Sequence, residues 1–304
     1  MLHEIFYWIF NMSLTATLVG SIVLLLRAIR KIPRRISVFL WVIPYFRMCI
    51  PFGLDRPYSL MSLVAKITTK SVVVYAPAKW FSFSTTNTVM AANEYFPITY
   101  KVAMLEDVFR IASIVWSIVL LAIVLTLGIF YVMALHEIKD ATQLQGNVYV
   151  SDKVTSAAVY GVFRPKIVLP PSCPPEDIRF VLLHERAHIK RADNLWRIVA
   201  LFLTAVHWFN PLAWVFLKLL FHDMELACDE RVLAALDAAA SRAYAHSLLN
   251  AEESAHLYGA AFGGAKIRAR IENILSYKKM TRFSLAGFLA FVIAVCSVLL
   301  TNAG

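Results

Sequence analysis

Long apolar runs constrain this chain more than any other feature of its sequence. One covers about residues 5–26, a second about 108–135 and a third about 283–300. Each matches or approaches the roughly 20 residues that a helix needs to cross a bilayer core. A segment in hydrocarbon must satisfy its own backbone hydrogen bonds, so each run is expected to be helical. A shorter run, about 36–52, contains Pro44 and Arg47 and reads as a return span forming a hairpin with the first. Composition agrees: 59% of the residues are hydrophobic and 16% are charged, against about 25% charged in ordinary soluble domains.

The charges set an expected topology. Arg27, Arg30, Lys31, Arg34 and Arg35 follow the first run, while His3 and Glu4 precede it, the reverse of a signal peptide. Lys278, Lys279 and Arg282 precede the last run. Basic flanks face the cytoplasm, so both termini are expected outside the cytoplasm. The net charge of +10 is read as topology rather than as a nucleic-acid surface. The expected organisation is an N-terminal membrane region, 1–135, with three transmembrane helices and an extracytoplasmic loop at 53–107 that hugs the membrane near 72–75 and 80–83. A cytoplasmic domain follows at 136–280, with a membrane-associated helical hairpin at 195–221, and then a fourth transmembrane helix at 281–304. Cys49, Cys173, Cys228 and Cys296 show no C-x-x-C spacing and read as free thiols.

Within the polar region, residues 147–150, 157–160 and 166–169 have strand character, separated by turn signals at Ser151-Asp152 and Phe163-Arg164-Pro165. The prolines at 170–171 and 174–175 end that segment. Glu176 and Asp177 then open a helix, with acidic residues suited to its first turn. Further helices are expected at about 222–237, 241–253 and 267–276, after a hairpin that turns at Asn210-Pro211.

The residues with the clearest chemistry are His184, Glu185 and His188, spaced H-E-x-x-H. Positions i and i+4 share a helix face, so both imidazoles can reach one metal ion. Glu185 sits where it can act as general base on a water held there. A catalytic zinc site needs a third protein ligand and an open position. Glu225 is the natural candidate, and Asp229, four residues on, could hydrogen-bond a ligand histidine. The plainer reading of Glu225 and Asp229 is a solvated acidic helix face. Asp193 could support the zinc helix or simply cap its end. His207 is expected to be structural and Cys228 to pack; His222 shares the helix face of Glu225 and could approach the site as an oxyanion partner, but the preferred reading places it at an interface.

The segments HERAHIKRADNLWR (184–197), HWFNPLAW (207–214), MELACDERVL (224–233), GVFRPKIVLP (161–170) and AFGGAKIRARIENIL (261–275) resemble the BlaR/MecR-type antirepressor metallopeptidases, a bacterial membrane family. The resemblance covers most of the chain. It implies a gluzincin-like site with His184, His188 and Glu225 holding Zn2+ and Glu185 as base, facing the cytoplasm near the membrane. It also implies cleavage that inactivates a repressor, directly or through self-processing. Beta-lactam sensors of that family carry a penicillin-binding domain after the fourth span, whereas this chain ends at Gly304. The expectation is therefore a shortened form or a member with another input.

The fold class expected is a mainly α integral membrane protein, with four transmembrane helices and an inserted α+β gluzincin-like domain, multi-pass in a bacterial cell membrane. Expected partners are a protein or peptide substrate, such as a transcriptional repressor, and membrane lipid. Nucleic acid is not expected as a direct partner, and a homodimer is one option for assembly. Residues 161–170, including Arg164, Lys166 and Val168, could give an edge strand for an extended substrate or form a plain hairpin over the zinc helix. The resemblance implies self-cleavage near the basic stretch 266–270, whereas the plainer and preferred reading of those residues is an anchor for the last span. The competing reading for the whole chain is a non-catalytic signalling scaffold stapled by zinc. A metal transporter ranks below both, because the spans lack paired acidic residues.

Overall fold

The computed structural model describes residues 2–29, 32–50, 55–56, 60, 103–255, 263–278, 281–300 and 302–303, and it is mostly helical with a small sheet. Helices α1 (Leu2–Arg27) and α2 (Arg34–Cys49) pack on each other, and the two-residue strand β1 (Asp55–Arg56) follows. Most of the expected extracytoplasmic loop, including 72–75 and 80–83, lies outside the described residues. Helix α3 (Ala103–Glu137) leads into the sheet. Among the described residues, Leu2–Arg27 and Asp107–Glu137 are the two helices long and apolar enough to cross a membrane. The most apolar stretch of α3 has no buried residue. Ile111, Ile118, Leu121, Leu125, Ile129 and Phe130 all project outward, a display of apolar surface that water disfavours.

The sheet is formed by β2 (Thr142–Gln145), β3 (Val148–Val150), β4 (Ala158–Tyr160) and β5 (Lys166–Leu169) in the order β2-β3-β5-β4. β3 and β5 run parallel and the other pairings are antiparallel. Three of these strands are the ones the sequence predicts. β2, all of whose side chains are exposed, carries no apolar alternation to announce it. Six helices follow: α4 (Pro175–Arg191), α5 (Asp193–Val206), α6 (Pro211–Ala235), α7 (Ala238–Ala255), α8 (Gly263–Ser276) and α9 (Arg282–Leu299). The last strand, β6 (Asn302–Ala303), pairs with β1.

Two boundaries differ from expectation. The helix expected at about 222–237 is the second half of α6, which runs unbroken from Pro211 to Ala235. The sequence changes there from apolar to acidic, but it offers no glycine or proline to end a helix. The other break falls at Ala192, which takes a left-handed conformation (φ 54°, ψ 38°) between α4 and α5.

The α5–α6 hairpin lies along the membrane-type helices. Its turn is capped by Asn210, whose Oδ1 accepts from Leu212 N at 3.0 Å with Pro211 in the first helical position. The Asn210 Nδ2 donates to Ser13 Oγ at 2.8 Å and Thr17 Oγ1 at 2.7 Å on α1. His207 Nε2 meets the Met48 carbonyl at 3.1 Å, at the far end of α2. Met48 lies 14 residues beyond Arg34 on α2, so the hairpin turn sits about 20 Å from the basic turn at 1.5 Å rise per residue. Arg47 is buried, and its Nε donates to the Leu299 carbonyl at the end of α9.

The main apolar cluster joins Val19, Leu40, Trp41, Phe216, Leu220 and Met224 from α1, α2 and α6. A second joins Phe6, Tyr7, Phe109 and Trp116 beside Phe209 at the hairpin turn. In the first cluster, Gly20 is what lets α1 approach α6. A Cβ there would fall 2.2 Å from the ring of Phe216, which is fully buried. Gly20→Val is therefore expected to destabilise the fold by about 1–3 kcal/mol through overpacking. Gly128→Val, on a surface with nothing within 4 Å, should leave it unchanged. Thermal unfolding midpoints of the two variants in one detergent check the contrast.

Candidate metal centre

α4 presents His184, Glu185 and His188 on a buried face, each 6–8% exposed. Its start is fixed by Pro174-Pro175, with Glu176 and Asp177 in the first turn. Glu225 comes from the middle of α6, which packs against α4. His184 Nε2 and His188 Nε2 lie 3.1 Å apart. Glu225 Oε2 lies 3.5 Å from the first and 3.7 Å from the second. A tetrahedral ion with bonds of about 2.0–2.2 Å spaces its donors about 3.3–3.6 Å apart. The nitrogen and oxygen atoms thus already form one face of such a coordination shell, and the donor set fits a metal ion.

Cys228 offers a second candidate for the third donor. One ligand atom each from His184, His188 and Cys228 can be chosen so that all lie within 4.8 Å of one another. The thiol is fully buried and donates to the His184 carbonyl at 3.3 Å. Glu225, by contrast, keeps a third of its side chain exposed, which suits a centre that must also admit water and substrate. Burial would raise the Glu225 pKa, but the facing imidazoles of His184 and His188 hold it well below the usual range.

The outer layer fixes both imidazoles. His188 Nδ1 lies 2.7 Å from Asp193 Oδ2, so an N–H there donates to the carboxylate and Nε2 is left to face the centre. The left-handed Ala192 is what places Asp193 five residues after His188 yet beside its ring. His184 Nδ1 lies 2.9 Å from Tyr244 Oη, which donates to Asp229 Oδ1 at 2.6 Å. Asp229 is fully buried and receives both arms of Arg270, Nε at 2.9 Å and Nη2 at 2.7 Å. Burial would raise this carboxyl, but the Arg270 charge prevails and brings its pKa to about 2. Arg197 on α5 donates to Glu225 Oε1, leaving Oε2 turned toward the histidines. Burial raises the pKa of Glu185, the direction that suits a proton acceptor working near neutrality.

Of the residues singled out in the sequence, His184, His188, Glu225, Asp229 and Asp193 converge, and Glu185 is near enough to feel the charges of His184, His188 and Glu225. Arg164, Lys166 and Val168 do not form an edge strand. β5 is paired on both sides, with Val168 fully buried, so the edges of the sheet are β2 and β4. The unbroken apolar run Ile167-Val168-Leu169 is the mark of an interior strand. Even the β4 edge is partly occupied, because Asn194 Nδ2 donates to the carbonyls of Val159 and Gly161. Arg164 lies in the exposed loop between β4 and β5, and the Lys166 ammonium sits 4.8 Å over the Tyr149 ring.

Arg197, Tyr244 and Arg270 were not singled out. Arg270 belongs to the basic stretch read as a membrane anchor, but it turns into the centre. Arg268, two residues earlier, is the exposed member, 82% accessible and paired with Glu272. Period 3.6 on α8 separates the two faces. His207 packs under the hairpin turn as expected, and His222 is half-buried.

A family model described as BlaR1 peptidase M56 matches residues 7–274. The regulatory protein BlaR1 of Bacillus licheniformis is 36% identical over 107 residues, 34% of this chain and 18% of that protein. The methicillin resistance mecR1 protein of Staphylococcus aureus is 25% identical over 143 residues, 43% of this chain and 24% of that protein. The chain thus matches less than a quarter of the length of either relative.

The two arginines of α8 give a direct test of the outer layer. Arg270→Met leaves Asp229 buried and unpaired and should cost about 3–5 kcal/mol of stability. Arg268→Met breaks only an exposed pair and should cost about 0–1 kcal/mol. Denaturant or thermal melts of both variants read the difference.

Proposed function

Because the chain belongs to the BlaR1 peptidase M56 family, we propose that it is a membrane-embedded zinc endopeptidase of signal transduction, hydrolysing peptide bonds of a cytoplasmic regulator, of itself, or of both. The observation that carries this reading is the triangle of His184 Nε2, His188 Nε2 and Glu225 Oε2, with edges of 3.1, 3.5 and 3.7 Å, beside the buried Glu185. His184, His188 and Glu225 are the zinc ligands, and Cys228 packs behind them. Zinc bound there supplies Lewis acidity toward a water and toward the scissile carbonyl. Glu185 takes the proton of the attacking water and returns it to the leaving amine. Asp193, and Asp229 through Tyr244, hold the two imidazoles in the tautomer that leaves Nε2 free. Arg197 restricts Glu225 to one inward oxygen.

The chain crosses the membrane four times, through α1, α2, α3 and α9, with both termini outside. The zinc domain, residues 136–280, lies on the cytoplasmic side. This topology is supported by the basic turn between α1 and α2, whose Arg27 and Arg34 engage α6 close to the metal centre. The α5–α6 hairpin enters the bilayer from the cytoplasmic face, to a depth of about 20 Å of a core of about 30 Å. The substrate is an intracellular protein such as a transcriptional repressor. The name of the Bacillus licheniformis relative, a regulatory protein, supports a regulatory rather than a digestive role.

Purified wild type should hold about one zinc per chain by elemental analysis, lost in His184→Ala/His188→Ala. Glu185→Gln should retain the metal while hydrolysis of a peptide library falls by about 10²–10⁴-fold. Glu225→Ala should release zinc to a weaker chelator than wild type does, whereas Cys228→Ser should not. A Cys228→Ser variant that loses the metal, with Glu225→Ala keeping it, would reassign the third ligand.

A further inference from the structure

Residues 223–230 of α6 carry four acidic side chains, Asp223, Glu225, Asp229 and Glu230. At 100° per residue they divide between opposite faces of the helix. Glu225 and Asp229 face α4 and the metal centre. Asp223 and Glu230, seven residues apart, face the turn between α1 and α2.

Each of the second pair is gripped. Asp223 is fully buried and accepts Arg27 Nε at 2.7 Å, Arg27 Nη2 at 2.9 Å and Trp41 Nε1 at 2.8 Å. Arg34 Nη1 stands 3.8 Å away. Glu230 accepts the backbone N–H groups of Arg34 at 2.9 Å and Arg35 at 3.3 Å. These are orphan donors of the first turn of α2, which its N-cap residue Pro33 has no side-chain acceptor to satisfy. Arg35 Nη2 donates to the Glu230 carbonyl at 2.5 Å.

The apolar contacts of α6, through Phe216, Leu220 and Met224, bury area but do not fix rotation sharply. A bidentate arginine fork does, because its hydrogen bonds are directional. With side chains reaching about 5–6 Å from the axis, a rotation of about 20° moves a carboxylate by about 2 Å, a full metal–ligand bond length.

We propose that Asp223 and Glu230 are positioning residues of the metal centre, through which the basic α1–α2 turn locks α6 in the rotation that presents Glu225 to His184 and His188. This rests on the metal-centre reading given above. It makes the junction of two membrane helices a working part of the site, so that a shift of α2 along or about its axis reaches Glu225 through Trp41 and Asp223.

The test uses the full chain in detergent, stripped of metal and titrated with Co2+ alone. Apparent affinity and the visible ligand-field spectrum are recorded for wild type, Arg27→Lys, Trp41→Phe, Glu230→Gln, Arg47→Gln and Glu225→Ala. Arg27→Lys keeps the charge but loses the fork, and Trp41→Phe removes one donor to Asp223. Either suffices if the other does not fold. Loss of the grip should weaken cobalt about 10–100-fold, the usual effect of an outer-shell residue, and shift the spectrum toward that of Glu225→Ala. Arg47→Gln, which loosens α2 from α9 at its other end, should lower the thermal midpoint and leave affinity and spectrum as in wild type. The proposal is overturned if the grip variants keep wild-type affinity and spectrum while Glu225→Ala changes both, or if Arg47→Gln changes them equally. Failure of wild type to bind about one cobalt or zinc per chain would instead remove the metal-centre reading on which the proposal stands.

Discussion

Burying a carboxylate is tolerable only when a positive or donating partner comes with it, and α6 brings four of them toward the interior within eight residues. They are met from three sides. Asp223 is held from α1 and α2, Glu225 by Arg197 of α5, Asp229 by Arg270 of α8, and Glu230 by the start of α2. The elements that surround the metal centre are thus the ones whose cations these carboxylates require. Apolar packing supplies the bulk of the attraction, but the charges decide which helix lies on which side of α6.

The same helix begins where polar groups are hardest to satisfy. Asn210 opens α6 among apolar side chains, and it spends its acceptor on its own helix start and its donors on Ser13 and Thr17. His207, Tyr45 and Trp116 find partners in the same layer through Met48, Thr204 and Val206. These bonds run between α1, α2, α3 and the hairpin, where apolar contact would not by itself choose one arrangement. One continuous helix therefore links an apolar layer, ordered by a few polar contacts, to a centre ordered by charge.

Much of this was legible. The long apolar helices α1 and α3, the helix carrying His184 and His188, three of the four sheet strands and the approach of Glu225 to the two histidines follow from run length, period and spacing. Several features were not. The αL break at Ala192 has no glycine to signal it; what marks it in the structure is the next residue, Asp193, held by His188 and Arg191. The continuity of α6 was hidden by its change from apolar to acidic sequence, which mimics the start of a new element. Whether Lys166 and Val168 lie on a peptide-binding edge or in a plain hairpin over α4 depends on their neighbours, which sequence order does not give, and the structure has the hairpin. The role of Arg270 is hidden because a basic stretch beside an apolar run usually marks topology, and only the face it takes on α8 distinguishes it from Arg268.

Glu225 is the one carboxylate of α6 whose side chain stays substantially exposed, and its single inward oxygen follows from how it is held. Arg197 takes Oε1, so Oε2 alone approaches the histidines. A carboxylate left free could close over an ion with both oxygens and fill the position that a substrate needs. In the metal centre proposed above, the arginine thereby leaves a position open. It also lines a cavity with Tyr131, Leu135, Val159, Gly161 and Asn194, between α3, the β4 edge and α5. Arg197, which holds one oxygen of Glu225, thus stands at the wall of a cavity beside the sheet edge. One guanidinium thus touches both that cavity and Glu225, as the Arg27 guanidinium joins the outer face of α6 to the turn between α1 and α2.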